Sequence, residues 1–466
     1  MKRLVLLATL LAFVFGMAAS AHAVKVEASG AWAVEFLFSE NFDMQKNGGA
    51  GDGQGDFNVY QRLRTQFDFI ANENLKGVLA TEIGSTSGEQ RWGGSQYHFH
   101  DRFNGINVRR AYVDFAIPGT KITNRIGLQN INLPAAVGGG SMIMDDEMTG
   151  VVTAIPVIDE VSVVAGYARL YDFNNGVSGD QNSAFDAGVL ILPVKLDGFE
   201  FAPFFMYGYA GDGAVRNMSI NTNNSETWGL LGPTLGNAEG RRAYWGGTSF
   251  TMTYFDPIKV MADVNYGKVT GNLDADDRSG WMFDLAVDYT GFDFMTPELF
   301  FAYTSGEDSD VTDGSERMPT LNARNWALGS FFFGGDTLLQ GSKGYGTEQT
   351  GFWAVGLSLK DISFLEKLSH TFTVMYAKGT NDKDMIAASI LPAASGSIVY
   401  GQTLTEEDHI VEVDLNTKYQ LYEELCLTLD LGYINNGYDK DKWRVADPNL
   451  DKNDAYKVST GILYQF

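Results

Sequence analysis

Cysteine is almost absent. Cys426 stands alone in 466 residues, so no disulfide framework can form within the chain. Histidine (5) and proline (11) are scarce. After residue 23 no run of 18 apolar residues occurs, which excludes a membrane-spanning helix there. Positive charge is short: 34 Lys and Arg stand against 58 Asp and Glu, a net charge of −24. That balance argues against a nucleic-acid partner, because phosphate binding draws on basic residues. No Pro/Ser-rich linker separates two compositions, so a chain long enough for two or three soluble domains reads as one unit.

The marks of catalysis and of a resident ion are missing too. Cys426 has no nearby His, and no nucleophile–base–acid arrangement is legible, so no enzyme is expected. His98 and His100 lack Cys or acidic partners at zinc spacing. The run from Glu307 to Gly314 has the wrong ligand order for an EF-hand and reads as a solvated loop. Gly138-Gly139-Gly140 is not followed by Lys-Ser/Thr and a helix, as a phosphate loop would be. No cofactor or metal is expected.

What is present begins with a leader. Lys2 and Arg3 precede an apolar core from Leu4 to Phe15, and Ala21-His22-Ala23 offers a small-residue cleavage site. Residues 1–23 therefore read as a secretory signal peptide, and 24–466 as the mature chain.

Beyond it, two-residue periodicity dominates. In 57–70, Phe57, Val59, Leu63, Phe67 and Phe69 alternate with Asn58, Arg62, Arg64, Gln66 and Asp68. Val411, Val413 and Leu415 alternate with Glu412, Asp414 and Asn416; Leu425, Leu427, Leu429 and Leu431 alternate with Cys426, Thr428 and Asp430; Trp281, Phe283 and Leu285 flank Asp284. A strand sends successive side chains to opposite faces, so each segment has one apolar and one polar face. Strands of soluble proteins average ~5–6 residues, whereas many of these run to ten or more, the length a tilted strand needs to cross a bilayer. Lipid leaves no backbone group unpaired, so such strands close into a barrel whose polar face lines the lumen.

The breaks alternate between two kinds. Tight turns are expected near Asn72, Pro118, Pro156–Asp159, Pro193–Gly198, Asp256, Gly291, Asp361–Lys367 and Tyr422. Long Gly/Asn/Asp-rich loops are expected at 39–56, 84–103, 128–148, 173–182, 211–240, 270–279, 306–346, 380–405 and 436–452. Short periplasmic turns and long extracellular loops characterise outer-membrane barrels. The fold class is thus an all-β, transmembrane antiparallel β-barrel of 18 strands. Ala323–Phe333 could add a strand, and 16 is the alternative count. Trp32, Phe36, Phe38, Tyr112, Tyr167, Tyr171, Tyr289 and Tyr303 sit near strand ends, as interfacial girdles would. The last strand alternates Tyr456, Val458, Ile462, Tyr464 and ends on Phe466. This resembles the signal that the outer-membrane assembly machinery reads.

Val108-Arg109-Arg110-Ala111-Tyr112-Val113-Asp114, then a hairpin and Arg125-Ile126-Gly127-Leu128-Gln129, are local marks of a wider likeness. Across its mature length the chain resembles the trimeric general porins, most closely the homotrimeric outer-membrane porins of sulfate-reducing bacteria. The resemblance implies a homotrimer of 16- or 18-stranded barrels, and a loop after the fifth strand folded into the lumen. By strand count that loop is 128–148, with Pro134, the glycine run, and Asp145-Asp146-Glu147. The lumen phase of strands two, four and five carries Arg62, Arg64, Arg110 and Arg125. A basic wall facing an acidic loop tip would set a transverse field across the narrowest point and disfavour apolar solutes. Arginine suits the task because it stays charged. Asp145, Asp146 and Glu147 are the expected acids. The net charge favours cations while that wall is basic, so a weak cation preference with low discrimination is expected.

The expected function is passive diffusion of small hydrophilic solutes and ions through a water-filled porin. A substrate-specific channel for sugars or oxyanions is the alternative. Expected partners are outer-membrane lipid and lipopolysaccharide of a Gram-negative bacterium, with divalent cations bridging acidic loops to lipid A.

Overall fold

The computed structural model describes residues 24–41, 44–45, 56–84, 106–172, 182–215, 239–310, 313–321, 326–331, 338–339, 350–388 and 400–466. Residues 1–23, His98 and His100 lie outside these.

Nineteen strand segments follow in chain order: β1 (Lys25–Glu40), β2 (Asp56–Asn72), β3 (Leu75–Ile83), β4 (Asn107–Ala116), β5 (Thr123–Asn132), β6 (Asp145–Ile158), β7 (Val161–Asp172), β8 (Ala184–Ile191), β9 (Val194–Leu196) and β10 (Phe199–Ala210). They continue through β11 (Arg241–Phe255), β12 (Ile258–Thr270), β13 (Arg278–Tyr289), β14 (Thr296–Thr304), β15 (Phe352–Leu365), β16 (Leu368–Gly379), β17 (His409–Tyr422), β18 (Leu425–Gly437) and β19 (Ala455–Gln465).

Apart from β8 and β9, which do not pair with each other, each strand pairs antiparallel with its sequence neighbours, and β1 pairs with both β2 and β19, which closes the ring. The segments β8 and β9 both lie between β7 and β10 and are two parts of one stave. Pro193, with no N–H to give, interrupts it. The ring therefore has eighteen positions, as the turn count predicts, and not sixteen. A tight turn lies at or beside each of the eight expected places, as at Glu73-Asn74, Pro118-Gly119 and Glu423-Glu424, although β6 runs on to Ile158, β9 occupies Val194–Leu196 and β15 runs on to Leu365. Residues 326–331, within the segment suspected of forming another strand, form none.

The two faces differ as the alternation requires. Phe57 is 64% exposed and Leu299 58%, with Trp32, Phe205, Val355, Leu429 and Ile462 also exposed on the outer face. Such a band is costly in water and suits lipid. Trp32, Phe36, Phe38, Tyr167, Tyr289 and Tyr303 are exposed, as girdle residues would be. Two of the expected set are not. Tyr112 lies beneath the Arg125 guanidinium, and Tyr171 stacks on buried Phe185.

The large apolar core sits inside the barrel. It joins Phe185, Trp245, Met282 and Phe300 of the wall with Leu133, Met142, Trp326 and Phe331 of two loops.

The seam depends on the C-terminus. Phe466 N donates to Gly30 O at 3.1 Å and Gly30 N to Phe466 O at 2.8 Å, while Tyr464 and Phe466 stack at 5.6 Å. Deleting Phe466 removes both bonds where the first and last strands meet. The yield of folded barrel refolded into detergent is expected to fall at least several-fold, read on a gel that separates folded from unfolded protein.

Candidate functional site

Two loops narrow the lumen. The first joins β5 to β6 and spans 133–144. Its ends are held by Leu133 N, which donates to Met144 O at 3.1 Å. Its middle reaches across the barrel to β12. There the Asp263 carboxylate accepts from Ala136 N and Val137 N, all at 2.9 Å. Asp263 is 2% exposed, and a carboxylate this buried needs such donors. Gly138 and Gly139 take φ of +72° and +79° to turn the tip. A Cβ at Gly138 would stand 2.6 Å from the Trp326 ring, so the second loop packs directly on this backbone.

The second loop, between β14 and β15, is a strap across the interior. It leaves its strand through an anchor of buried charges. Arg278 donates to the carbonyls of Arg317 and Met318 at 3.0 Å, and Ser315 Oγ donates to Glu307 Oε2 at 2.6 Å. Burial raises the Glu307 carboxyl above its ordinary value, opposed by the Ser315 hydroxyl and nearby Arg317. Burial lowers the Arg317 guanidinium, and Arg278 beside it adds to the effect.

Further along, Trp245 Nε1 donates to Pro319 O, Leu321 N to Ile143 O and Ala327 N to Gly138 O, which binds strap to first loop. Trp326 Nε1 then donates to Asp284 Oδ2 at 3.0 Å on β13. Ser330 N donates to Asp414 Oδ2 at 2.8 Å and Phe331 N to Glu412 Oε1 at 3.0 Å, both on β17. Lys457 of β19 donates to Ser330 O and lies 5.5 Å from the Phe331 ring. Leu338 and Leu339 finally pack with Ala33 of β1. Four wall carboxylates thus receive loop N–H groups, three of the four from backbone amides, and each is at most 1–2% exposed. These four acids of the inner face hold loops.

The expected opposition of basic wall and acidic tip is not what forms. Residues 133–144 carry no charge at all. Asp145, Asp146 and Glu147 open β6 instead, in register with Asn132, Ile131 and Asn130 of β5. The sequence boundary of 128–148 fails because the alternation of β5 and β6 runs on through polar residues at their loop ends. Asp145 accepts from Asn130 Nδ2 at 3.4 Å, and Asp146 accepts from Glu147 N at 2.8 Å.

Glu147 belongs to the basic wall itself. A continuous chain runs Arg64–Glu82–Arg109–Glu147–Arg110. Arg109 approaches Glu82 at 3.5 Å, as does Arg110 Glu147. Three guanidiniums meet two carboxylates, a local excess of one positive charge. Arg62 lies on β2 two residues nearer the long loops than Arg64, and is 8% exposed. Arg125 stands apart. It grips Asp114 with two bonds, at 2.7 and 2.9 Å, and lies 4.4 Å from the Tyr112 ring centroid. Register puts Asp114 four residues from Arg110 toward the short turns, about 13 Å at the usual rise. The four expected arginines therefore occupy successive levels of one wall.

Arg109 and Glu82 escaped the sequence reading. Strict alternation sends Arg109 to the lipid side. A β-bulge rescues it, because Ala80 pairs with Arg110 while Thr81 pairs with Val108. The extra residue lets adjacent arginines reach the same network. An arginine pair in mid-strand is the signal that could have exposed the bulge.

No protein-family model matches the chain, and no curated protein does. Solved structures do. The Pseudomonas aeruginosa outer membrane protein OprD aligns over 96% of each chain at 13% identity and a TM-score of 0.52. OccK11 (OpdR) of the same organism aligns over 95% of this chain and 96% of its own, at 11% identity and 0.52. OpdQ of that organism aligns over 95% and 98%, at 12% identity and 0.51. The chain has the fold of an outer-membrane β-barrel, similar to these proteins across nearly its whole length.

Proposed function

We propose that this chain is a passive outer-membrane channel for small hydrophilic solutes and ions. It acts after removal of residues 1–23, works without catalysis or cofactor, and assembles as a homotrimer. The observation that carries the reading is a closed barrel, apolar outside, with two loops seated on carboxylates of its inner wall. Arg62, Arg64, Arg110, Arg125, Asp145, Asp146 and Glu147, joined by Arg109 and Glu82, line the route past those loops. Fixed charges there favour solutes that keep polar contacts and tax apolar ones with desolvation. Narrowing from two sides also favours the second reading, a channel selective for one class of solute.

Planar-bilayer recording separates these. Ohmic conductance closing in three equal steps is expected of the trimer. A single step per insertion removes the trimer, and the absence of any conductance removes the channel. The trimer rests on the likeness to trimeric porins, and light scattering in detergent checks it independently.

A further inference from the structure

Below the junction of the two loops lies a cavity of about 280 Å³. Its floor carries four charges near the short-turn rim: Lys259, Asp288, Glu298 and Lys360. Phe300 and Leu328 supply apolar wall, and the backbone at Gly138–Gly139 closes the top. Lys360 Nζ donates to Asp288 Oδ1 and Glu298 Oε2, both at 2.9 Å. Each carboxylate so engaged keeps a second oxygen as an acceptor, and the ammonium keeps a third N–H. Lys259 has no carboxylate partner among the described residues.

We propose that this cavity is a resting site for a small zwitterion with an apolar side chain, of the size of a neutral α-amino acid. The inference rests on the channel reading and adds a solute class to it. Two ammonium and two carboxylate groups sum to zero, so a simple anion or cation gains little net attraction. A molecule bearing both signs a few ångströms apart meets both: its carboxylate faces Lys259 and the spare Lys360 proton, its ammonium the spare acid oxygens. Met261, Phe300 and Leu328 border the cavity and give a small apolar patch for a short side chain. Volume sets the limit, since drug-sized ligands take cavities of ~300–1,000 Å³. Among the described residues no Tyr, Trp, Asn or Gln lines the cavity, so a sugar would find few partners for its hydroxyls there.

The test uses the full-length protein in planar bilayers and proteoliposomes, with leucine as probe. Leucine is expected to interrupt the ion current in a saturable way, and its influx is expected to saturate with concentration. Acetate and butylammonium, each carrying one of the two charges, are expected to do neither. Lys360→Met is expected to weaken the leucine effect about tenfold. Lys259→Gln, which disturbs no ion pair, is expected to weaken it several-fold and guards against misfolding of the first variant. A conducting channel in which leucine, acetate and butylammonium act alike, or in which Lys259→Gln changes nothing, overturns this inference alone. A protein without conductance overturns the channel reading and this with it.

Discussion

Replacing Glu412 and Asp414 together with alanine is expected to raise single-channel conductance and make it noisy. Those two carboxylates accept the amides of Phe331 and Ser330 at the far end of the strap. A hydrogen bond to a charged group is worth ~1.5–3 kcal/mol net, so losing both costs about 3–6 kcal/mol of docking. Moving a two-state equilibrium from 1:99 to 99:1 takes ~5.5 kcal/mol. The loss is therefore large enough to shift the strap from mostly seated to substantially free. Truncation also leaves two buried amides without acceptors, which adds to the effect. Lys457 still holds the Ser330 carbonyl, and Trp326 remains on Asp284, so the near half of the strap should stay put. Asp284→Ala alone should accordingly give a smaller increase, and the triple variant the largest. Circular dichroism confirms that the barrel is intact. Equal conductance and noise in wild type and double variant, with that signal unchanged, would show that the strap does not limit the pore.

The contrast between what alternation revealed and what it concealed follows from range. Period-two patterning is a local property of Phe57–Phe69 or Leu425–Leu431, and a barrel repeats that local rule around its ring. The stave count and the eight turns were legible for this reason. So were Asp284, Glu412 and Asp414 as lumen-facing residues. Their partners were not, because Trp326, Ser330 and Phe331 reach them across separations of 42 to 84 residues that no periodicity encodes. A row of lumen acids reads in sequence as a solvated, cation-attracting wall, and proves to be the mooring for two loops. The misplacement of Asp145 and Asp146 has a related origin. Polar residues at a strand end look like loop residues unless the partner strand is known, and Asn130 and Asn132 of β5 are equally polar. Arg109 was hidden by one inserted residue, which changes the phase of everything beyond it.

Arg109→Glu is expected to produce the largest change in ion selectivity available from one substitution. Arg109 occupies the centre of the five-residue chain and contacts both Glu82 and Glu147. Wild-type charge there is three positive against two negative; the variant carries two against three, a swing of two units. An ion passing ~7 Å away in water feels about 1.2 kcal/mol from two unit charges, an eightfold change in local partition before salt screening. At ~0.1 M salt the Debye length is ~10 Å, so about half of that energy should survive, and by 1 M little should. The reversal potential under a KCl gradient is expected to move toward cation preference by a several-fold permeability ratio, with the shift fading as both solutions approach 1 M. The conservative Arg109→Lys keeps the charge and loses the forked contacts, so it should leave the reversal potential near wild type. Arg125→Glu offers the control of position. It lies about 13 Å further toward the short turns and is bound to Asp114. If the constriction lies at the Arg64–Arg110 level, Arg125→Glu moves the reversal potential less than Arg109→Glu does. An equal or greater shift would place the selective level near the periplasmic rim instead.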